Sequence, residues 1–245
     1  GGVEVEYEFP NKSTSVRGGI AVSFDEVDPT QEEGIVRVSN EDKENYSVFG
    51  GITQVINKHT ILQTTLGISH FDGFLSDPYK LVSIGALGQT TADNRPDDRT
   101  QYTFATRLRR YSELLGAALH VDYRFYYDDW DVRSHTLDLG LHKVTDSGWA
   151  FDTSLRYYSQ TQADFYEPFY TALPADGEVS SDYRLSPYGA ISLRLGLSET
   201  IGDWTIKLAA ERYVSDKSYS IQSVDVENPA LLDYTQFTFG IDYSF

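Results

Sequence analysis

Apolar and polar residues alternate along most of this chain with a period of two. In the segment from Leu115 to Tyr126, Leu115, Ala117, Leu119, Val121, Tyr123 and Phe125 share one parity, and His120, Asp122 and Arg124 share the other. Successive side chains of a strand point to opposite faces, so such a segment has one apolar and one polar side. The same alternation recurs at Thr136–Val144, Trp149–Gln160, Tyr188–Leu195 and Trp204–Tyr213. It closes the chain with Phe237, Phe239, Ile241, Tyr243 and Phe245 opposite Thr238, Gly240, Asp242 and Ser244. The pattern predicts eleven strands: Val3–Phe9, Ser15–Phe24, Asn45–Ile56, Thr60–Phe71, Arg99–Arg110, Leu114–Tyr127, Trp130–Val144, Trp149–Gln160, Arg184–Leu197, Trp204–Ser215 and Asp233–Phe245.

Three features favour a membrane barrel over a soluble sandwich. Most of these strands run to ten residues or more. That exceeds the usual strand of ~5–6 residues and matches the ~9–11 needed to cross a bilayer at a tilt. The polar face carries full charges at mid-strand, which suits a barrel interior whose other face meets lipid. Connections also alternate in length. Asn57–His59, Ser112–Glu113, Thr145–Gly148 and Ser198–Asp203 are tight, whereas Asp72–Asp98, Thr161–Asp182 and Asp216–Leu232 are long and polar. Aromatics near strand ends, namely Phe24, Phe49, Phe71, Tyr111, Trp130, Trp149, Tyr157, Trp204, Tyr213 and Tyr234, fit girdles at the two interfaces. We therefore expect an all-β, antiparallel transmembrane outer-membrane barrel, forming one domain over residues 1–245, with short periplasmic turns and long extracellular loops. Barrels of this kind have even strand numbers, so about twelve are expected. The twelfth is either a short strand at Ile35–Asn40 or a strand preceding Gly1.

Composition narrows the chemistry. The 245 residues contain no cysteine, which excludes disulfides, thiolate metal sites and cysteine nucleophiles. There is no methionine either, so the chain is expected to be a processed or trimmed product whose signal peptide has gone. A net charge of -17 argues against nucleic acid as a partner. No run of apolar residues is long enough for a membrane-spanning helix.

The polar parity collects His120, Asp122, Arg124, Asp138, His142, Asp152, Arg156, Arg194, Lys207, Glu211 and Asp242. Charges of both signs around one wall form ion pairs that stabilise neighbouring strands by roughly 0.2–1 kcal/mol each. An alternative use is a general base: His120 lies beside Asp122 and within reach of Asp138 across a hairpin. No serine is placed to complete it, so the charge network is the favoured reading, and no catalytic residue is assigned. In the loops, Asp128 and Asp129 ahead of Trp130 have the chemistry to hold a hard cation. Aspartates at a tight tip more often bond their own backbone, and no metal or other cofactor is assigned. Asp77 and Tyr79, within Gly73–Lys80, belong to a loop that folds either inward as a plug or outward as a docking surface.

Phe239, Ile241, Tyr243 and Phe245 resemble the terminal-strand signature that the barrel-insertion machinery of the bacterial envelope recognises. The blocks GFLSDPYK (Gly73–Lys80), YRFYYDDWDVRSHTLDLGLH (Tyr123–His142) and RYYSQTQADFYEP (Arg156–Pro168), with their spacing, resemble one bacterial family of outer-membrane proteins labelled only as a domain of unknown function. The resemblance covers roughly Asn45 to Phe245. It implies the outer membrane and its lipids as surroundings. Proximity of such proteins to thioredoxin-like and flavin-attachment proteins implies a periplasmic or lipoprotein partner in redox or maturation work. A barrel of about twelve strands has an interior that side chains can largely fill. The expected function is thus a non-enzymatic narrow channel or binding barrel for a small solute or partner. The rivals are a scaffold that docks such a partner and, less favoured, a surface-facing hydrolase.

Overall fold

The computed structural model describes residues 1–33, 37–85 and 88–244. Within them run thirteen strands: β1 (Gly2–Glu8), β2 (Thr14–Val27), β3 (Glu41–Asn57), β4 (Thr60–Gly73), β5 (Leu81–Ile84), β6 (Gln89–Ala92), β7 (Asp98–Ser112), β8 (Ala117–Asp128), β9 (Arg133–Val144), β10 (Trp149–Gln160), β11 (Tyr188–Ile201), β12 (Trp204–Asp216) and β13 (Tyr234–Tyr243). Eleven of them form one antiparallel sheet in the order β1-β2-β3-β4-β7-β8-β9-β10-β11-β12-β13, while β5 and β6 make a separate hairpin. This is the meander of an outer-membrane barrel, in which each strand pairs with the next through a turn or loop. The eleven strands expected from alternation are the eleven of this sheet. Because the number is odd, β1 and β13 run in the same direction, and no pairing joins them among the described residues.

The strands follow the period-two pattern because register preserves it across the sheet. Leu155 lies opposite Leu139 on one side and Leu193 on the other, and its neighbour Arg156 lies opposite Asp138 and Ser192. The apolar parity faces outward. Phe237 is 80% exposed and Phe239 65%, and Leu155, Leu195 and Leu208 are likewise open. In water such a band would be an aggregation surface; against hydrocarbon it is the barrel's lipid face.

The packed core sits in the loops instead. Trp130, Val132, Ala163, Tyr166 and Leu185 form one buried cluster. Val82, Tyr170 and Val179 form a second, with the hairpin of β5 and β6 at its edge. Connections at that end of the sheet are residues 28–40, 74–97, 129–132, 161–187 and 217–233; those at the other end are tight. The described parts of the long segments therefore make a packed layer over one rim.

Several sequence expectations are corrected. Strand β9 starts at Arg133 rather than Trp130, because Asp128 ties the intervening residues into a turn. β8 starts at Ala117, since residues 113–116 form the turn that ends with Gly116 at φ +57°. β2 and β3 extend to Val27 and from Glu41, so the acidic loop between them is shorter than expected. Of the suggested strand at Ile35–Asn40, Arg37–Asn40 are not in a strand, and Ile35 and Val36 lie outside the described residues, as does Phe245.

Candidate functional site

Register brings the charged residues of the inner parity into a few close pairs. Arg109 forks onto Asp122, one of its two contacts being 2.7 Å. His142 Nδ1 lies 2.6 Å from Asp152, directly across β9 and β10. Lys207 reaches Asp242 at 2.5 Å, and Arg156 lies 3.7 Å from Asp138. Arg124, Arg194 and Glu211 share this wall but make no ion pair among the described residues, although Arg194 and Glu211 are register partners. His120 stands opposite Gly140, whose missing Cβ makes room for it. The close His–Asp contact thus belongs to His142 and Asp152, and Arg109 occupies Asp122.

These residues line a cavity of about 650 Å³ on the inner wall, bordered by His120, His142, Asp152, Ser154, Arg194 and Lys207. Its charged and imidazole groups come from β8 to β12, the half of the sheet where alternation is most regular. Ser154 shares the cavity with His142 and Asp152, yet no hydrogen bond joins it to the imidazole among the described residues.

A second cavity of about 290 Å³ lies further toward the loop layer, lined by Arg156, Tyr158, Tyr188, Ser192, Glu211, Tyr213 and Tyr234. Tyr213 and Tyr234 stack with ring centroids 5.1 Å apart and planes 14° from parallel. Tyr158 and Tyr188 meet at 5.6 Å. All four belong to the inner parity, together with Arg156, Arg194 and Glu211.

This placement corrects the expected girdle. Tyr213 and Tyr234 face the lumen, and Phe49, Phe71 and Tyr111 share the inner parity of β3, β4 and β7. Phe49 fits there because Gly19 leaves space for its ring. Phe24, Trp149, Tyr157 and Trp204 keep the outer parity, and Trp204 packs against Tyr243, 4.7 Å between centroids. Trp130 belongs to neither face. It is buried in the loop core, its indole N–H donates to the Asp98 carbonyl at 2.9 Å, and the Arg99 guanidinium lies 4.1 Å above its ring.

The loop candidates are bound into this layer. Asp128 is fully buried and accepts from Arg99, the Tyr126 hydroxyl and the backbone N–H groups of Trp130 and Val132. Asp129 accepts from the Thr100 N–H at 2.8 Å. The Asp128 carboxylate is thus spent on protein donors, whereas Asp129 is exposed. Asp77 accepts from Arg184 at 2.8 Å, and the Tyr79 hydroxyl accepts from the Thr30 N–H. At the centre is Asp182, buried, with Arg95 at 2.9 Å, Arg184 at 2.8 Å and Lys80 at 3.6 Å. Burial pushes its carboxyl up, but hydrogen bonds from the Arg184 side chain and backbone and the charges of Arg184 and Lys80 outweigh it, so it titrates below its ordinary range. Burial raises the Tyr166 and Tyr170 phenols.

The sequence profile of DUF3570, described as a protein of unknown function, matches residues 2–239, a longer span than the resemblance seen from Asn45 onward. No curated protein matches the chain. Among solved structures it is similar to OmpT (in-vitro folded), an outer membrane protein of Vibrio cholerae, with a TM-score of 0.52 at 9% identity, over 99% of this chain and 88% of that one. The trimer form of that protein gives 0.46 at 10% identity, over 98% and 88%. LpxR from Salmonella typhimurium gives 0.38 at 9%, over 100% and 88%. The first likeness supports the barrel fold; the other two scores are too low to add to it.

Proposed function

The chain belongs to the DUF3570 family of proteins of unknown function, and from that premise we propose that it is a non-enzymatic outer-membrane barrel whose lumen binds or passes a small polar solute. In this reading the long loops face the exterior, and the tight turns and C-terminal end face the periplasm. The observation that carries it is the 650 Å³ cavity on the inner wall, lined by charged side chains of both signs. That volume lies within the range of small-ligand sites, ~300–1,000 Å³. Two features count against a hydrolase. Among the described residues, no hydroxyl is hydrogen-bonded to the His142–Asp152 pair. The charged residues are spread along five strands rather than gathered at one rim.

Conductance of purified protein in planar bilayers tests this. Unpaired Arg194 borders the cavity, so the Arg194→Ala change should alter unit conductance and lower the preference for anions, while Arg110→Ala at the tight-turn rim leaves both within error. A wild-type protein that neither conducts nor admits glycine into proteoliposomes would sink the proposal.

A further inference from the structure

We propose that the inner wall carries a saccharide shelf, built by Tyr158, Tyr188, Tyr213 and Tyr234 with Arg156 and Glu211, that receives a neutral, hydroxyl-rich ring. This rests on the reading that the solute occupies the lumen, and names its chemical class.

Four tyrosines from four consecutive strands meet on the inner face, where a water-filled lumen needs no interfacial anchors. They are partly open: Tyr234 is 41% exposed. The Tyr213–Tyr234 stack covers one face of each ring and leaves a broad edge and the remaining faces to the cavity. Aromatic faces present the negative side of the ring quadrupole, which matches the C–H face of a pyranose. The hydroxyls of Tyr188 and Tyr234 have no hydrogen-bond partner among the described residues and are open to a ligand.

The charged neighbours decide the ligand's charge. Among the described residues, Glu211 makes no ion pair, and Arg156 makes only its 3.7 Å contact to Asp138. A carboxylate that accepts and a guanidinium that donates, both at one cavity, cancel in charge, so neither a free anion nor a free cation gains a net attraction there. Together they suit vicinal hydroxyls, each of which both donates and accepts. At about 290 Å³ the cavity takes one ring. Ala209 and Lys207, the next inner-parity positions of β12 after Glu211, border the larger cavity, to which we assign the following units.

The test is calorimetric titration of detergent-folded protein with maltotriose, cellotriose and mannotriose. At least one should bind, with affinity falling about tenfold in Tyr213→Ala and in Tyr234→Ala. Tyr213→Phe, which keeps the ring, should retain most of it. Heat-dependent migration in gels certifies that each variant is folded. If none of the three binds, if binding survives both alanine changes, or if citrate or spermidine binds more tightly than every trisaccharide, the shelf is overturned. Glycine entry into proteoliposomes made from the same protein separates the two claims. Entry without trisaccharide binding removes the shelf and leaves the lumen reading; neither entry nor binding removes both.

Discussion

Asp182 shows how single side chains hold the loop layer. Its carboxylate has no exposed surface and depends on Arg95, Arg184 and Lys80. Removing one partner from a buried ion group typically costs about 3–5 kcal/mol, because the remaining charge is left uncompensated. Arg95→Ala leaves Arg184 and Lys80 on Asp182 but strips buried Asp93 of its ion pair, so we expect a loss of about 3 kcal/mol, seen as faster proteolysis within residues 74–97 and 161–187 while the strands stay intact. The pH dependence follows from the direction of the shift. The folded carboxyl titrates below its ordinary 3.8, so its contribution is complete above that value and is lost as pH falls through the lower folded one. Loop protection should be constant from neutrality to about pH 5 and collapse below roughly pH 4. Protection lost already near pH 6 would assign the layer's stability to other groups. Little of this network was visible beforehand. The network joins Asp77, Asp93 and Arg95 of one loop to Asp182 and Arg184 of another, 87 residues apart at Arg95–Asp182, and acidic loop residues ordinarily mean solvation. Nothing local distinguishes an aspartate that becomes buried.

At the scale of strands and turns, the sequence was most informative where one face meets lipid and the other water. A one-residue slip of register would then move every apolar side chain to the wrong face, so β8 to β13 could be placed from alternation alone. The hairpin of β5 and β6 escaped notice because each strand has four residues and only Val82 is buried. The expected girdle fails at Tyr213 and Tyr234 for a different reason. Nearness to a strand end suggested an interfacial girdle, yet parity with Lys207 and Glu211 already put Tyr213 on the lumen side. Parity is the stronger signal, since it fixes the face, whereas end position fixes only depth. Gly189 gives a test at this scale. A Cβ there would lie 2.1 Å from the backbone of Tyr219, in the short 3-10 turn Lys217–Tyr219. That turn is held down by the Tyr157 hydroxyl on the Tyr219 carbonyl and by the Ile221 N–H on Ser159. Gly189→Ala should expel the turn at a cost of about 1–3 kcal/mol. Hydrogen exchange should quicken at Ser220 and Ile221 and stay unchanged in β8 and β9. Unchanged exchange at Ile221 would contradict this account of the packing.

For the whole molecule, every functional proposal depends on one division: an apolar outer parity in lipid and a polar inner parity in water. The chain carries a net charge of -17, yet the middle of its outer band from β8 to β13 is apolar, and the charges on that parity, such as Arg133, Lys143, Glu199 and Arg212, lie toward strand ends. The absence of cysteine makes the division directly measurable, because each introduced thiol is the only one in the protein. We would place single cysteines at consecutive positions along β12, from Ile206 through Glu211, and reconstitute each variant in vesicles. Each would be exposed to a membrane-impermeant maleimide in the water, and a lipid-soluble quencher would report on fluorophores attached at the same sites. The account predicts strict alternation. Lys207, Ala209 and Glu211 positions should react with the aqueous reagent, whereas Ile206, Leu208 and Ala210 positions should be shielded from it and quenched from the lipid. Uniform aqueous labelling along the strand, or reaction of the Leu208 position in preference to Lys207, would contradict a lipid-facing barrel with a water-filled inner wall.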